Sequence, residues 1–267
     1  VVLSSAIKVL LIGGRGRIGS GLRQYLPRLD AGYRFVSIDL PGAANHGPAA
    51  GEDGEFVDLD FTADPEAFRG LLPGIDLVVY LARQGGLAEM NRMTDLVYES
   101  ALAQDPSPMI IGSSSVHAVD AAYLFFEKDP YPLIAQRRFA EIREWPAPIP
   151  ATLPACPVND YGSEKAYVEA WTHRAALRGA GAVAARWGGI NAQNRMTREK
   201  GYFAVWCHQE DAARFVHACF TAHRQGGLRS GAHYFAVSNN TYNIFDLATP
   251  AREIGYQPLH DAEVFYR

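Results

Sequence analysis

Short runs of consecutive apolar residues alternate along the first half of the chain with segments of helical period. The runs at Lys8–Ile12, Phe35–Asp39, Glu55–Val57, Leu77–Leu81 and Met109–Gly112 read as strands. They are nearly all apolar rather than alternating, the pattern of parallel strands covered on both faces. Helices are expected to start near Arg17, Pro65 and Gly86, with Asp30-Ala31-Gly32 and Pro73-Gly74 as punctuation between elements. Further on, the pattern predicts a helix over Tyr161–Leu177, a strand over Ala182–Trp187, a helix over Gln209–Ala222 and a strand over His233–Val237. One short helix is expected in the tail after Asn243. Strands alternating with helices in this way predict an α/β fold with a doubly wound parallel sheet.

The order breaks between Ala118 and Asp160, which is rich in proline and aromatic residues and holds one candidate helix, Ile134–Trp145. This stretch is too short for a core of its own and reads as an insertion or lid at the substrate entrance or a subunit contact. Its Tyr123-Leu124-Phe125-Phe126 reads as insertion core, and Arg137-Arg138 as a solvated helix face. The expected organisation over 1–267 is one domain. Residues 1–117 form a cofactor-binding core, 118–160 the insertion, and 161–267 the catalytic helix with a small substrate-binding portion.

Composition narrows the classes. Hydrophobic residues make up 48% of the 267, which supplies a sizeable core. A net charge of -4 gives no electrostatic case for nucleic acid or an anionic membrane. No apolar run is long enough to span a bilayer, and Val1–Ala6 lacks the basic region and cleavage site of a signal peptide. Cys156, Cys207 and Cys219 are widely spaced and odd in number, so no disulfide framework is indicated. His208, His217 and His223 show no ligand-like grouping with Asp or Glu, and no metal is expected. A cytoplasmic protein with a small-molecule partner follows as the simplest expectation, a homo-oligomer remaining open.

The first strand runs into Gly13-Gly14-Arg15-Gly16-Arg17-Ile18-Gly19. Glycines are needed where a chain turns sharply out of a strand, approaches a pyrophosphate and enters a helix packed on the sheet. The first helical turn, from Arg17 and Ile18, then offers N–H groups and a positive dipole end to phosphate. Asp39 closes the second strand at the spacing, about 20 residues on, where a carboxylate accepts both adenosine ribose hydroxyls. This is a Rossmann-like arrangement, and it points to NAD. Arg15 opposes that choice, since a cation there could attract a 2′-phosphate. Asp39 weighs more, because a carboxylate beside a phosphate is the costlier mismatch. Asp58-Leu59 after the third strand could bind adenine or cap the strand, and Leu81 and Ala82 at the end of the fourth strand complete the expected cofactor set.

Tyr161-Gly162-Ser163-Glu164-Lys165 places a phenol and an ammonium at i and i+4, on one helix face. The cation can lower the phenol pKa from about 10 toward neutrality, giving a base for an alcohol proton. Upstream, Ser113-Ser114-Ser115-Val116-His117 ends a strand at the carboxyl edge of the sheet, where ligands bind. Ser115, with Ser114 as the fallback, can orient the reacting oxygen beside Tyr161, and His117 can either hydrogen-bond a substrate hydroxyl or serve as a satisfied turn histidine.

Taken in order, these motifs resemble the extended short-chain dehydrogenase/reductase superfamily of NAD-dependent epimerases and dehydratases, over most of the chain. Within it the chain looks most like the uronate dehydrogenases, which oxidise C1 of a uronic acid to a lactone. The matching segments are Ser114-Ser115-Val116-His117, Arg186-Trp187-Gly188 with Arg195-Met196, Trp206–Asp211, and Ser238–Thr241 with Leu247–Asp261. The resemblance implies that Tyr161, Lys165 and Ser115 are catalytic, and that Arg195 holds a substrate carboxylate. The short chain beyond Tyr161 favours a small, non-nucleotide sugar or sugar acid. Three features depart from the pattern: Val116 stands for asparagine, Leu81-Ala82-Arg83-Gln84-Gly85-Gly86 lacks a serine, and the insertion is long. An epimerase or dehydratase remains an alternative on the same fold, and a non-catalytic dinucleotide sensor a more distant one.

Overall fold

The computed structural model describes residues 6–47, 54–124 and 127–267. Val1–Ser5 and the pair Phe125-Phe126, about which the sequence raised expectations, lie outside the described residues.

Seven strands form one all-parallel sheet: β1 Ile7–Ile12, β2 Tyr33–Asp39, β3 Gly54–Asp58, β4 Leu77–Tyr80, β5 Met109–Ser115, β6 Ala182–Trp187 and β7 Ala232–Ala236. Their spatial order is β3-β2-β1-β4-β5-β6-β7. The chain steps outward from β1 to β3, then returns to the other side of β1 as β4. A crevice therefore opens between the carboxyl ends of β1 and β4, the point at which such sheets bind ligands.

The apolar runs have the expected cause. β4, β5 and β6 are buried at every position. In β1, Val9 and Leu11 face one hydrophobic cluster and Leu10 and Ile12 the other. Helix α1 (Arg17–Leu29) covers the first face together with α8 (Gln209–Arg224). The second face is covered by α3 (Leu87–Leu102) and α6 (Asp160–Leu177), with the short α2 (Pro65–Gly70) beside them. Among the described residues, no helix is long and apolar enough to cross a membrane.

Strand β5 runs on through Ser113, Ser114 and Ser115, which pair with Ala185, Arg186 and Trp187. The serine cluster is thus held in the sheet rather than in a turn after it. Asn159 starts α6 by accepting from Gly162 N–H at 2.8 Å, which fixes Tyr161 in the first turn.

The insertion departs most from expectation. In place of a helix over Ile134–Trp145 it has α4 (Asp120–Tyr123), α5 (Tyr131–Ala135) and a 3₁₀ turn at Phe139–Glu141. Arg137 has φ 58°, which no helix tolerates. It is also no solvated residue. Its Nη1 and Nη2 donate to Glu263 at 3.1 and 2.7 Å, and its guanidinium lies 3.7 Å from the Tyr266 ring centroid. The insertion joins the main core through Tyr123, Tyr131, Ile134, Ile149 and Ala151. Beyond β7 lie α9 (Ala248–Ile254) and a 3₁₀ turn, Ala262–Phe265, while α7 (Tyr202–Val205) precedes α8.

Candidate active site

Gly13 leaves β1 with φ +95°, and a Cβ there would sit 2.8 Å from the Ala82 nitrogen. At Gly19 a Cβ would lie 2.6 Å from the Gly13 carbonyl oxygen, so only glycine lets α1 enter this close to the strand. Gly16 is different: a Cβ would meet only the Gly13 carbonyl, at 3.2 Å, and otherwise project toward the groove. Gly16 also caps α1 without a side chain, leaving the first-turn N–H groups of a 13-residue helix open to an anion.

A cavity of about 260 Å³ runs from this loop to Tyr161. Its wall brings together Gly13, Gly16, Arg17, Ile18, Gly19, Leu81, Ser114, Ser115, Tyr161 and Lys165, all expected from the sequence. A second cavity, about 240 Å³, adjoins it and is lined by Asp39, Leu59 and Ala82 among others. Arg83 lines both.

The Asp39 carboxylate accepts from the Arg15 backbone N–H at 2.6 Å. Burial pushes its pKa up, opposed by that hydrogen bond and by the Arg15 and Arg23 guanidiniums. Arg15 is already engaged within the protein: its Nη1 pairs with Asp58 at 2.5 Å and its guanidinium covers the Phe56 ring at 4.9 Å. Asp58, held by Arg15, is not on either cavity wall, while Leu59 is on the second.

Around Tyr161 the electrostatics reverse one expectation. Burial raises the phenol pKa above its ordinary value. The Ser115 hydrogen bond and the Arg83 charge pull it down, and Glu164 and Asp120 push it up. Lys165 Nζ does lie over the ring, 5.3 Å from its centroid, but it is 3.5 Å from Glu164 Oε1, which draws its charge. Burial lowers the Lys165 pKa and Glu164 opposes that fall. Glu164, 1% exposed, and Arg83 were not singled out in the sequence.

Ser114 lines the cavity, yet its hydroxyl donates to Glu169 Oε1 at 2.7 Å. That leaves Ser115 as the serine facing Tyr161. His117 packs edge-on to the Tyr161 ring, centroids 5.5 Å apart, and pairs with Asp120 at 2.9 Å, which raises its pKa. It lines a third, largely apolar cavity of about 240 Å³ with Tyr123, Leu124, Glu127 and Val158 of the insertion. Arg195 stands exposed on the loop after β6, its backbone tied to Asn191 by two hydrogen bonds, and lines none of these three cavities.

The histidine reading needs correction: His208 does group with a carboxylate. Its ring stacks on His260 at 3.6 Å, and His260 Nε2 lies 3.0 Å from Glu210 Oε2. His208 Nδ1 already accepts the Glu210 N–H as the cap of α8.

A glycine loop at the switch point and a Tyr–Lys pair lie at the edge of one parallel sheet in a Rossmann-like α/β fold. By sequence the chain matches no family model and no curated protein. By structure it is similar to uronate dehydrogenase from Agrobacterium tumefaciens, with a TM-score of 0.71 and 20% identity, over 99% of this chain and 88% of that one. The dTDP-glucose 4,6-dehydratase from Bacillus anthracis in complex with NAD aligns at TM-score 0.67 and 12% identity, over 97% and 93%. UDP-glucose 4-epimerase from Brucella ovis in complex with NAD aligns at 0.62 and 17%, over 95% and 94%. These likenesses establish the fold.

Proposed function

We propose that the protein is an NAD-dependent oxidoreductase acting on a hydroxyl of a sugar or sugar acid. The observation that carries this reading is the shared wall: Ser115, Tyr161 and Lys165 line the same cavity as the Gly13–Gly19 loop. The residues also fit the cofactor, with an open helix N-terminus for phosphate and the Asp39 carboxylate for the adenosine ribose. When bound, the nicotinamide supplies the hydride acceptor. Tyr161 takes the substrate hydroxyl proton at Oη, Ser115 orients that hydroxyl, and the Lys165 ammonium stabilises the phenolate. Burial of Tyr161 disfavours the phenolate, and the Ser115 hydrogen bond and the Arg83 charge work against that effect.

The finer reading is oxidation of a uronic acid at C1, with Arg195 on its carboxylate. The near full-length likeness to uronate dehydrogenase supports it, as does the position of Arg195 on the loop leaving Gly188 and Ile190 of the cavity wall. It requires the exposed Arg195 side chain to turn inward on substrate. An epimerase or dehydratase would use the same Tyr–Lys pair but return NAD unreduced.

A screen for NADH production with uronic acids, neutral aldoses and nucleotide sugars tests both levels. Stoichiometric NADH is expected from the wild type, and Tyr161→Phe should abolish it while NAD binding persists. Turnover without NADH accumulation would assign an epimerase or dehydratase. A Phe variant with most of its activity would remove Tyr161 from the chemistry.

A further inference from the structure

Arg83 follows β4 at the switch point and is the residue common to the walls of the adenosine-side and tyrosine-side cavities. Its Nε donates to Glu164 Oε1 at 2.7 Å. Glu164 is 1% exposed on α6, whereas the Arg83 side chain is 48% exposed. The two ends of this pair therefore sit in different surroundings, one in the protein and one at the groove.

The pairing has a physical reason. A buried carboxylate loses its hydration and needs donors in return. The Lys165 ammonium, 3.5 Å away, is too distant for a good hydrogen bond, and Arg83 supplies the short one. Only Nε is used. The two Nη nitrogens have no hydrogen-bond acceptor among the described residues, and the guanidinium carbon lies 5.2 Å from the Tyr161 ring centroid. A guanidinium held by one edge, with its other donors turned to solvent, is arranged to take a phosphate.

We infer that Arg83 binds the pyrophosphate of the dinucleotide where it crosses from one cavity to the other, and that Glu164 is the positioning residue that aims it. This rests on the reading that the groove holds NAD. The glycine loop would then approach the phosphates from the β1 side with backbone N–H groups and Arg83 from the β4 side with charge.

The test is fluorescence titration of the ligand-free protein with NADH, and competition by ADP-ribose and by adenosine, at low and high salt. Arg83→Ala should weaken NADH and ADP-ribose roughly ten- to a hundredfold and flatten their salt dependence. Adenosine, which carries no phosphate, should bind as before. Glu164→Gln should cause a smaller loss of the same kind. Because Arg83→Ala strands a buried carboxylate, the double variant Arg83→Ala/Glu164→Gln is made alongside and should lose no more than Arg83→Ala. Unchanged ADP-ribose affinity in Arg83→Ala would overturn the inference, and so would an equal loss for adenosine. A wild type that binds no NADH would instead overturn the reading of the groove.

Discussion

Replacing Arg186 with Met should cost the protein several degrees of thermal stability. Arg186 is 0% exposed and meets Glu169 with two parallel hydrogen bonds, Nε to Oε1 at 2.8 Å and Nη2 to Oε2 at 2.9 Å. Nη2 also donates to the Leu153 carbonyl at 2.7 Å, and Ser114 donates to Glu169 at 2.7 Å. One side chain thus ties β6, α6 and the insertion together behind the serine strand. Methionine fills much of the volume but leaves the Glu169 carboxylate buried with Ser114 as its remaining partner. Breaking a buried pair from one side costs about 3–5 kcal/mol. For 267 residues, an unfolding entropy of about 2.1 cal/mol/K per residue moves Tm by slightly under 2 °C per kcal/mol. Scanning calorimetry should therefore show a fall of roughly 5–9 °C, with part recovered when Glu169→Met is added. A single variant within about 2 °C of wild type would refute the reasoning, because the pair would then only balance its own desolvation.

Three further outcomes are expected. Since Asp58 occupies Arg15, Asp39→Ala should narrow the preference for NAD over NADP, and Asp39→Ala/Asp58→Ala should reverse it; an unchanged affinity ratio in fluorescence titrations would remove both carboxylates from cofactor choice. Arg195→Ala should lower kcat/KM on a uronic acid by roughly ten- to a hundredfold while sparing a neutral aldose, if the guanidinium holds a carboxylate; equal losses on both would place Arg195 outside substrate recognition. His208 and His233 have pKa values pushed down to about 4 by burial, so the unfolded chain binds their protons first as the pH falls. Their contribution to stability should be complete above pH 6.5 and fade toward pH 4, and urea titrations of His233→Asn should show a shallower acid loss over that window.

What could be read from the sequence was local. The glycine loop and Tyr161 with Lys165 carry their chemistry within a few residues, and the central strands announced themselves by largely apolar runs. Arg83 and Glu164 lie 81 positions apart, and neither has a local reason to be noticed. The same applies to the Arg15–Asp58 pair, whose members lie 43 positions apart and come together only in the fold. The sequence alone favours Ser115 over Ser114, and the pleat of β5 gives Ser114 to Glu169 and Ser115 to Tyr161. In place of the helix expected over Ile134–Trp145, α5 stops at Ala135, and Arg137 at φ 58° reaches Glu263 and Tyr266, partners far off in sequence.

That last contact also bears on the order in which the protein can assemble. Arg137 and Glu263 are separated by 126 positions, and the Arg137 guanidinium sits among Phe139, Phe203, Tyr242 and Tyr266. At translation rates of about 5–20 residues per second, Arg137 waits roughly 6–25 s on a growing chain before Glu263 is made. Meanwhile the first five strands can already pair. The glycine loop can therefore be in place well before the insertion is locked, leaving its aromatic side chains exposed to chaperones or to neighbouring nascent chains in the interval.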